Sequence, residues 1–248
     1  MELFNDFFEP AGAWEMLSRT GHILSGITWI GLLYFFNFVQ TPAFAGMSAD
    51  SRSEAMRMIT LRALWWFRYA ALLTFLFGIS IVGVQGDETD TFLSGQRGTS
   101  ILTGMLLGIT MFLNVWGVIW RNQKVIIGSA ERVAQGGEAD PRAAALAKPS
   151  ARASRTNTLF SIPMLFFMVF APHGGFFWRE EIGSTIVYWL VVLVIWAFIE
   201  ASALGLIGGY DSAFNKLVFD DHRNTIIAGF VLWAVLYFVG WEIILKAA

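Results

Sequence analysis

Long apolar stretches separated by short charged segments constrain this chain more than any other feature of its sequence. A helix needs roughly 20 largely apolar residues to cross the hydrocarbon core of a bilayer, which is about 30 Å thick. Six stretches come close to that length, and they cover residues 17–39, 64–84, 101–120, 156–171, 184–207 and 225–245. The sequence therefore predicts an all-α, polytopic integral membrane helix bundle that forms one transmembrane domain over residues 1–248.

The composition agrees with a membrane protein and excludes several kinds of site. Of the 248 residues, 56% are hydrophobic and 15% are charged, whereas a soluble domain is nearer about 25% charged. The formal net charge is −2, so no basic field indicates nucleic-acid binding. The acidic N-terminus lacks the features of a removable signal peptide. The absence of cysteine excludes disulfides, thiolate metal sites, iron–sulfur clusters and covalently attached c-type haem.

The distribution of lysine and arginine predicts the orientation of the bundle. The connection between the third and fourth spans carries Arg121, Lys124, Arg132, Arg142, Lys148, Arg152 and Arg155, and the connection between the first and second carries Arg52, Arg57 and Arg62. The opposite face is acidic before the first span and after the second. We therefore expect both basic connections in the cytoplasm, both termini outside it, and a multi-pass protein of the bacterial inner membrane.

Residues 127–155 form the longest polar stretch, and they are rich in alanine, glycine and charge. They are predicted to be an exposed cytoplasmic linker with one amphipathic helix around residues 141–147. The span that follows contains Pro163. A proline inside a membrane helix is tolerated when neighbouring helices satisfy the carbonyl that it frees.

Two of the three histidines are predicted near the outer ends of spans. His22 lies in the first span, and His173 follows Pro172 at the end of the fourth. Two neutral imidazoles on neighbouring helices at similar depth are what a six-coordinate haem b requires, so both are candidate haem-iron ligands. Alternatively, His22 bonds an interhelical partner and His173 is an interfacial loop residue. The third histidine, His222 in the segment FDDHRN, is expected to be a solvated loop residue.

Several costly polar residues are predicted in the cytoplasmic half of the bundle: Asn37, Arg68, Asn114, Arg155, Asn157 and Glu200. Ionisable side chains at membrane depth are expensive, which makes them functional candidates. If these residues converge, they form a pocket of guanidinium, amide and carboxylate groups that suits a small planar anion. Alternatively, Glu200 forms a structural ion pair with an arginine, and the asparagines cross-link helices.

Tryptophan is frequent near the predicted span ends, at Trp14, Trp65, Trp66, Trp120, Trp178 and Trp241. Amphipathic indole rings are enriched at the level of the lipid headgroups. These residues are therefore predicted to form an interfacial belt rather than an electron-transfer chain.

Five segments of the sequence carry a resemblance to a known family. They read GHILSGITWIGLLYFFNFVQTPAF (21–44), WWFRYAALLTFLFG (65–78), VWGVIWRNQKVIIG (115–128), RTNTLFSIPMLFFMVFAPH (155–173) and IEASALG (199–205). In this order they resemble the membrane domain of PuuD-type bacterial urate oxidases (urate hydroxylases), over nearly the whole chain. One departure stands at residues 120–123, which read WRNQ here where the family pattern is WPNQ.

The resemblance implies a membrane oxidase that converts urate to 5-hydroxyisourate and passes electrons to a c-type cytochrome domain fused at its C-terminus. This sequence contains no cysteine, so the cytochrome is expected to be a separate periplasmic protein. We therefore predict an oxidoreductase whose substrate, urate or a similar small purine, is bound by Asn37, Arg68, Asn114, Arg155 and Asn157. Glu200 is the predicted catalytic proton acceptor, and haem b on His22 and His173 is predicted to carry electrons outward.

Two other functions remain open. The chain is alternatively a non-catalytic accessory subunit that retains the fold and packs against a larger respiratory or photosynthetic redox complex, as the missing cytochrome domain suggests. It is otherwise a haem-binding electron-transfer subunit whose donor is not urate. Transport is less favoured, because the sequence has no evident inverted repeat and no pair of broken helices.

Overall fold

The structure is a computed structural model that describes residues 7–8, 12–85, 93, 95–177 and 183–245. In these ranges the regular structure is helical throughout and contains no strand. The helices are α1 (Ala13–Gly46), α2 (Ala49–Val84), α3 (Gly95–Ala134), α4 (Ala143–His173), α5 (Thr185–Ala203), α6 (Ala213–Phe219) and α7 (His222–Leu245).

Five of these helices, namely α1, α2, α3, α5 and α7, are long and apolar enough to cross a membrane. This confirms the prediction of a multi-pass helical membrane bundle, because only helices satisfy their own backbone groups in lipid without closing into a barrel. Their apolar side chains face outward in large numbers, as lipid-facing helices require: Ile23, Leu76 and Leu190, for example, are all at least half exposed.

The remaining long helix, α4, lies at the centre of the bundle. It has 31 residues and packs against α1, α3, α5, α6 and α7. Polar residues such as Asn157 and Ser161 are fully buried along it, beside apolar ones such as Phe160. Because its neighbours shield α4 from lipid, it can carry polar side chains that would be costly on a lipid-facing helix.

The structure differs from the prediction between the third and fourth spans. Residues 127–155, predicted as an exposed linker, contain the last turns of α3 and the first turns of α4, and only residues 135–142 lie between the two helices. Ile127 and Arg152 in this stretch are buried. The physical reason is that alanine has the highest helix propensity of all residues, so an alanine-rich stretch favours helix over coil.

The turn between α3 and α4 is closed by Asp140. Its carboxylate accepts hydrogen bonds from Arg142 Nε at 3.1 Å and from Arg132 Nη2 at 2.9 Å. Its backbone N–H donates to Ser129 Oγ at 2.9 Å. The hydrogen bonds from Arg142, and then that from Arg132, hold the pKa of Asp140 well below its usual value. We call the end of the bundle that contains this turn, together with residues 47–48, the basic end.

Glycine lets α7 approach the proline-containing part of α4. Pro163 has no N–H, so the carbonyl of Leu159, four residues earlier, loses its helical donor. Gly229 of α7 packs against that carbonyl: a Cβ at this position would stand 2.9 Å from the Leu159 oxygen and 2.6 Å from Ile162 Cδ1. Only a glycine therefore fits here without a shift of α7, which is how small residues act at membrane helix interfaces.

At the end of the bundle opposite the basic end, polar side chains join α1 to α2. Ser80 accepts a hydrogen bond from Trp14 Nε1 at 2.8 Å and lies 2.9 Å from Ser18 Oγ. Farther along, His22 Nδ1 lies 2.8 Å from the carbonyl oxygen of Thr74. We call these five residues the α1–α2 ladder. Each member bonds to the facing helix, so the ladder fixes how the two helices pack.

Trp241 corrects one prediction about the aromatic belt. It is fully buried, with its ring centroid 5.1 Å from that of Phe170 and 6.5 Å from that of Phe167. It is a core residue because α7 packs against α4. Trp65 and Trp66 are 48% and 60% exposed, as expected for belt residues.

Candidate functional site

A cavity of about 250 Å³ opens between α1, α2, α3 and α4 at the basic end. Its volume is close to the lower limit of ligand pockets, which range from about 300 to 1,000 Å³, so it suits a small molecule. Apolar side chains such as Phe36 and Phe67 form part of the wall. The polar part of the lining consists of Asn37, Gln40, Thr41, Thr60, Gln123, Ser150, Ser154 and Arg155. We call this space the basic-end cavity.

Two π-helical segments shape the wall of the basic-end cavity. Residues Phe35–Gln40 of α1 and Met56–Thr60 of α2 have this wider helical form. A π-helical turn inserts an extra residue into the helix, and such turns occur frequently at functional sites. Asn37 and Gln40 belong to the first segment and Thr60 to the second, so the distortions coincide with polar lining residues.

Hydrogen bonds between helices hold the amide side chains of the lining. Asn37 Nδ2 donates to Ser154 Oγ at 2.8 Å and to the Leu33 carbonyl at 2.9 Å, while Gln123 Nε2 donates to Ser150 Oγ at 3.0 Å. These bonds engage the amide nitrogens. The side-chain oxygens of both amides take no part in them and retain acceptor capacity.

The amide of Gln40 is left with a hydrogen-bond donor instead of an acceptor. Gln40 Oε1 accepts a hydrogen bond from Thr60 Oγ1 at 2.9 Å, and this bond leaves the Gln40 NH₂ group as a donor. The lining therefore combines fixed amide acceptors with an amide donor. That combination complements a ring that carries both carbonyl and N–H edges.

Arg155 places a positive charge in the lining of the cavity. Its Nη1 donates to the carbonyl of Phe219 at 2.9 Å, which anchors the side chain without neutralising it. The neighbouring Arg152 differs, because its Nη2 lies 2.5 Å from Asp220 Oδ1. Arg155 thus keeps guanidinium N–H groups for an anion, and its planar fork matches two oxygen atoms at once.

A second polar group lies beside the cavity and joins α3, α4 and α5. Asn114 Nδ2 lies 3.1 Å from Asn157 Oδ1 and 3.3 Å from Glu200 Oε2. Asn157 Nδ2 in turn donates to the carbonyl of Met111 at 2.9 Å. Asn114 and Asn157 are buried, and Glu200 is half-buried. We call these three side chains the Glu200 network.

The central helix connects the cavity to the Glu200 network. Ser154 lines the cavity and Asn157 belongs to the network. Residues three apart lie on the same face of a helix, and three residues rise about 4.5 Å along its axis. The carboxylate network therefore begins about one helical turn from the cavity wall, deeper in the bundle.

The predicted substrate and catalytic residues fall into three places. Asn37 and Arg155 line the basic-end cavity, and three others form the Glu200 network. Arg68 lies apart from both: its guanidinium carbon is 3.7 Å from the ring centre of Trp120 and 5.8 Å from that of Trp116. The structure thus brings five of the six residues to two adjoining places and leaves the sixth between α2 and α3.

The alternative prediction, that the asparagines cross-link helices and Glu200 forms an ion pair, is confirmed for the asparagines alone. The asparagines do cross-link helices, through the hydrogen bonds of Asn37 and Asn114. The six ion pairs among the described residues do not include Glu200, whose oxygen instead accepts a hydrogen bond from an amide.

Several lining residues were not predicted from the sequence. Gln123, Ser150 and Ser154 fell within or beside the stretch interpreted as a linker. Ser150, Ser154, Asn157 and Ser161 follow one another at intervals of four, three and four residues. This spacing marks one face of a helix, and it was the available signal that the polar face of α4 turns inward.

The two predicted haem ligands lie in different surroundings. Because a backbone carbonyl accepts from His22 Nδ1, that nitrogen carries the hydrogen and Nε2 is left as the basic nitrogen. This is the usual arrangement of a metal-binding imidazole. A Cβ at Gly78 would stand 3.3 Å from His22 Cε1, so the glycine provides room for the ring. His173 is exposed in the last turn of α4.

The third histidine lies at the other end of the bundle. His222 begins α7 at the basic end, 3.5 Å from Asp221 and with its ring centroid 6.3 Å from that of Phe38. In the described part of the chain, no group of three or more histidine, cysteine, aspartate or glutamate residues is placed to hold a metal ion. A haem bound by two imidazoles does not require such a group.

Comparison with known proteins gives one match. Residues 81–201 match the model of the urate oxidase N-terminal family, and this region contains His173, Arg155 and the whole Glu200 network. His22 and Asn37 lie outside it. No curated protein and no solved structure matches the chain. Over residues 81–201, the chain is thus similar to the N-terminal domain of urate oxidases.

Proposed function

We propose that this protein is a membrane-bound oxidoreductase of the PuuD type, which binds urate or a similar small purine in the basic-end cavity and oxidises it. The observation that carries the proposal is the coincidence of the family match with the site. Arg155, Gln123 and Ser150 of the cavity lining fall inside residues 81–201, and so does Glu200 beside them.

The chemistry of the lining fits the proposed substrate. Urate near neutral pH is a planar anion whose edges alternate carbonyl oxygens with N–H groups. Arg155 would pair with the anionic edge, since a guanidinium binds two oxygens in one plane. The free oxygens of Asn37 and Gln123 would accept from the substrate N–H groups, and the NH₂ group of Gln40 would donate to a carbonyl.

The proposed reaction adds water to urate and gives 5-hydroxyisourate, two electrons and two protons. Glu200 is the proposed proton acceptor, because its carboxylate is linked through Asn114 and Asn157 to the helix that lines the cavity, and is held by an amide rather than by a cation. Asn114 of α3 donates to that carboxylate, and Asn157 of α4 accepts from the same Asn114 amide and so helps to hold it. Holding a base in position in this way is what general base catalysis requires.

His22 and His173 would hold a haem b, and such a group would supply one-electron transfer towards a periplasmic c-type cytochrome. The chain's own contribution is to orient the ligands. The carbonyl of Thr74 fixes the ring of His22 and its tautomer. In this proposal the basic end faces the cytoplasm of a bacterium, and both termini lie outside.

The proposal is tested by purifying the protein in detergent and incubating it with urate and oxidised cytochrome c without oxygen. We expect loss of one urate for every two cytochromes reduced. Co-purification with a large respiratory or photosynthetic complex, without urate turnover, would instead support the accessory-subunit function.

The haem is tested separately by an absorption spectrum and a pyridine haemochrome assay. We expect a b-type spectrum in the wild-type protein and its loss in His22→Ala. His222→Ala is the matched control, because His222 lies at the basic end, and it should retain the haem. Full haem content in His22→Ala would remove His22 as a ligand.

A further inference from the structure

Arg68 belongs to a cationic and aromatic cleft between α2 and α3, separate from the basic-end cavity. Its guanidinium carbon lies 3.7 Å from the ring centre of Trp120, 4.7 Å from that of Tyr69 and 5.8 Å from that of Trp116. Lys124 Nζ lies 5.6 Å from the same Trp120 ring. Two cations thus share one indole, and we call these five residues the α2–α3 cleft.

The α2–α3 cleft contains buried hydrogen-bond donors without an acceptor. Arg68 Nε and Trp116 Nε1 are buried and have no hydrogen-bond partner among the described residues. The ring faces attract the guanidinium charge, but they leave these N–H groups without an acceptor. Ion pairs found in the described part of the chain do not involve Arg68 or Lys124. These cationic and N–H groups would be complemented by an anion with hydrogen-bond acceptors.

A further cation lies on α2. Arg57 precedes Arg68 by eleven residues, nearer the basic end. Its Nε is also buried without a partner. Arg57 belongs to the π-helical segment Met56–Thr60, which packs against the part of α3 that carries Lys124. The positive charge thus continues from the cleft towards the basic end.

The surroundings of the cleft place it at the level of the lipid headgroups. Trp65 and Trp66 beside it are 48% and 60% exposed, and the ring of Trp65 lies 4.7 Å from that of Tyr69. Exposed indole rings mark the membrane interface. Leu113, one helical turn before Trp116, is 60% exposed. An anion in the cleft would therefore lie above an apolar surface that fits acyl chains.

We propose that the α2–α3 cleft binds the phosphate group of an anionic phospholipid. Arg68 and Lys124 would pair with the phosphate oxygens. Donation from Arg68 Nε and Trp116 Nε1 would require these side chains to turn outward, because both atoms are covered in the structure. Basic pockets between membrane helices on the cytoplasmic side are a known mode of lipid binding. A lipid fits better than a soluble anion because the site adjoins exposed aromatic and aliphatic side chains. This inference does not depend on the proposed oxidase activity.

The test uses the full chain, purified and delipidated in detergent. Phosphatidylglycerol, phosphatidylcholine or inorganic phosphate is added back, and the midpoint of thermal unfolding and the number of bound lipids by native mass spectrometry are measured. We expect phosphatidylglycerol to bind and to raise the midpoint more than phosphatidylcholine does. Affinity for phosphatidylglycerol should fall about fivefold for each cation removed, in Arg68→Gln and in Lys124→Gln. Arg142→Gln, whose cation already pairs with Asp140, should bind as the wild type does.

The outcomes separate the lipid from other sources of phosphate. Equal effects of phosphatidylglycerol and phosphatidylcholine would overturn the proposal. An equal effect of inorganic phosphate alone would overturn the assignment to a lipid. Should Arg68→Gln fail to fold, Lys124→Gln and the count of added phosphatidylglycerol molecules bound by the wild-type protein decide the matter. Undiminished binding in Lys124→Gln, or a wild-type protein that binds no added phosphatidylglycerol, would contradict the proposal.

Discussion

The α1–α2 ladder and the basic-end cavity are both polar groups between apolar helices, but they differ in how completely they bond. In the ladder, Trp14 and Ser18 share Ser80, and His22 bonds the Thr74 carbonyl. In the cavity, the hydrogen bonds engage one side of each amide. Among the described residues, Arg155, which also lines the cavity, bonds the carbonyl of Phe219 through Nη1.

This difference in hydrogen bonding distinguishes polar residues that hold helices together from those that retain hydrogen-bonding capacity for a ligand. A polar group removed from water destabilises the fold unless it gains a hydrogen bond. The hydrogen bonds of Trp14, Ser18, Ser80 and His22 Nδ1 meet this requirement from within the chain, and His22 Nε2 is the exception, as the proposed haem ligand. The cavity meets it in part, and a bound molecule with complementary edges would complete it. Polar residues at membrane depth are therefore better interpreted by their remaining hydrogen-bonding capacity than by their depth alone.

The largest expected effect is on the Glu200 network. Glu200→Gln keeps the hydrogen bond from Asn114 but cannot accept a proton, so kcat for urate oxidation should fall by about 10² to 10⁴. Urate affinity should change little. Steady-state kinetics and urate binding measure both quantities. Glu131→Gln, at an exposed position of α3, is the matched control. A wild-type kcat in Glu200→Gln would show that the network is structural, like the ladder.

The next effect concerns the charge of the cavity. Arg155→Ala should lower kcat/KM for urate by at least roughly 30-fold, since removing one partner of a buried charged pair costs about 2–5 kcal/mol. Arg155→Lys keeps the charge but loses the planar fork, so its kcat/KM should lie between those of the wild type and Arg155→Ala. A folded Arg155→Ala protein with wild-type kinetics would contradict the claim that the cavity, unlike the ladder, binds the substrate.

One pair of matched substitutions compares the two regions directly. Ser80→Ala removes the acceptor of Trp14 Nε1 and should lower the free energy of unfolding by about 1–3 kcal/mol. It should leave urate turnover intact. Ser154→Ala should lower stability by less, because Asn37 still donates to the Leu33 carbonyl. It should weaken urate binding, because the cavity wall changes.

Denaturation in mixed micelles and urate kinetics measure this pair. Ser80 and Ser154 are both half-buried, so a difference in burial does not explain a difference between the effects of the two substitutions. The reverse pattern, with activity lost in Ser80→Ala and stability lost in Ser154→Ala, would invert the roles assigned to the two regions.

The smallest effect is expected at the turn between α3 and α4. Arg142 and Arg132 lower the pKa of Asp140, so its carboxylate stabilises the fold above the unfolded pKa of about 3.9 and loses this effect as pH falls through the lower folded value. Asp140→Asn should slightly lower the thermal midpoint at pH 7, with the difference vanishing in acid. Urate kinetics should not change, which separates the charge of the basic end from that of the cavity.

The sequence predicts the bundle well because long apolar stretches have one stable solution in a bilayer. It does less well where helices leave the membrane. Residues 127–155 are polar enough to resemble a linker, yet their alanine content extends α3 and α4. The central position of α4 depends on packing against five other helices, which no local pattern encodes.

The candidate site was predictable in type but not in arrangement. Asn37, Arg155 and Glu200 were found by the cost of polar groups at membrane depth. Their division between a cavity and a network was not, because it depends on which helices meet. Arg68 met the same criterion, but Trp120 of α3 holds it outside the cavity. Gln123 was missed because it lies beyond the apolar stretch that marks the third span.

Equilibrium binding of urate tests most directly the claim that the basic-end cavity awaits a purine. Equilibrium dialysis with labelled urate would compare the wild-type protein, Arg155→Ala and the control Arg142→Ala, whose arginine lies in the turn at residues 135–142. The predicted result is saturable binding of one urate per chain in the wild type and in Arg142→Ala, with affinity at least roughly 30-fold lower in Arg155→Ala. Absence of saturable binding to the wild type, or equal affinity in Arg155→Ala, would contradict the claim.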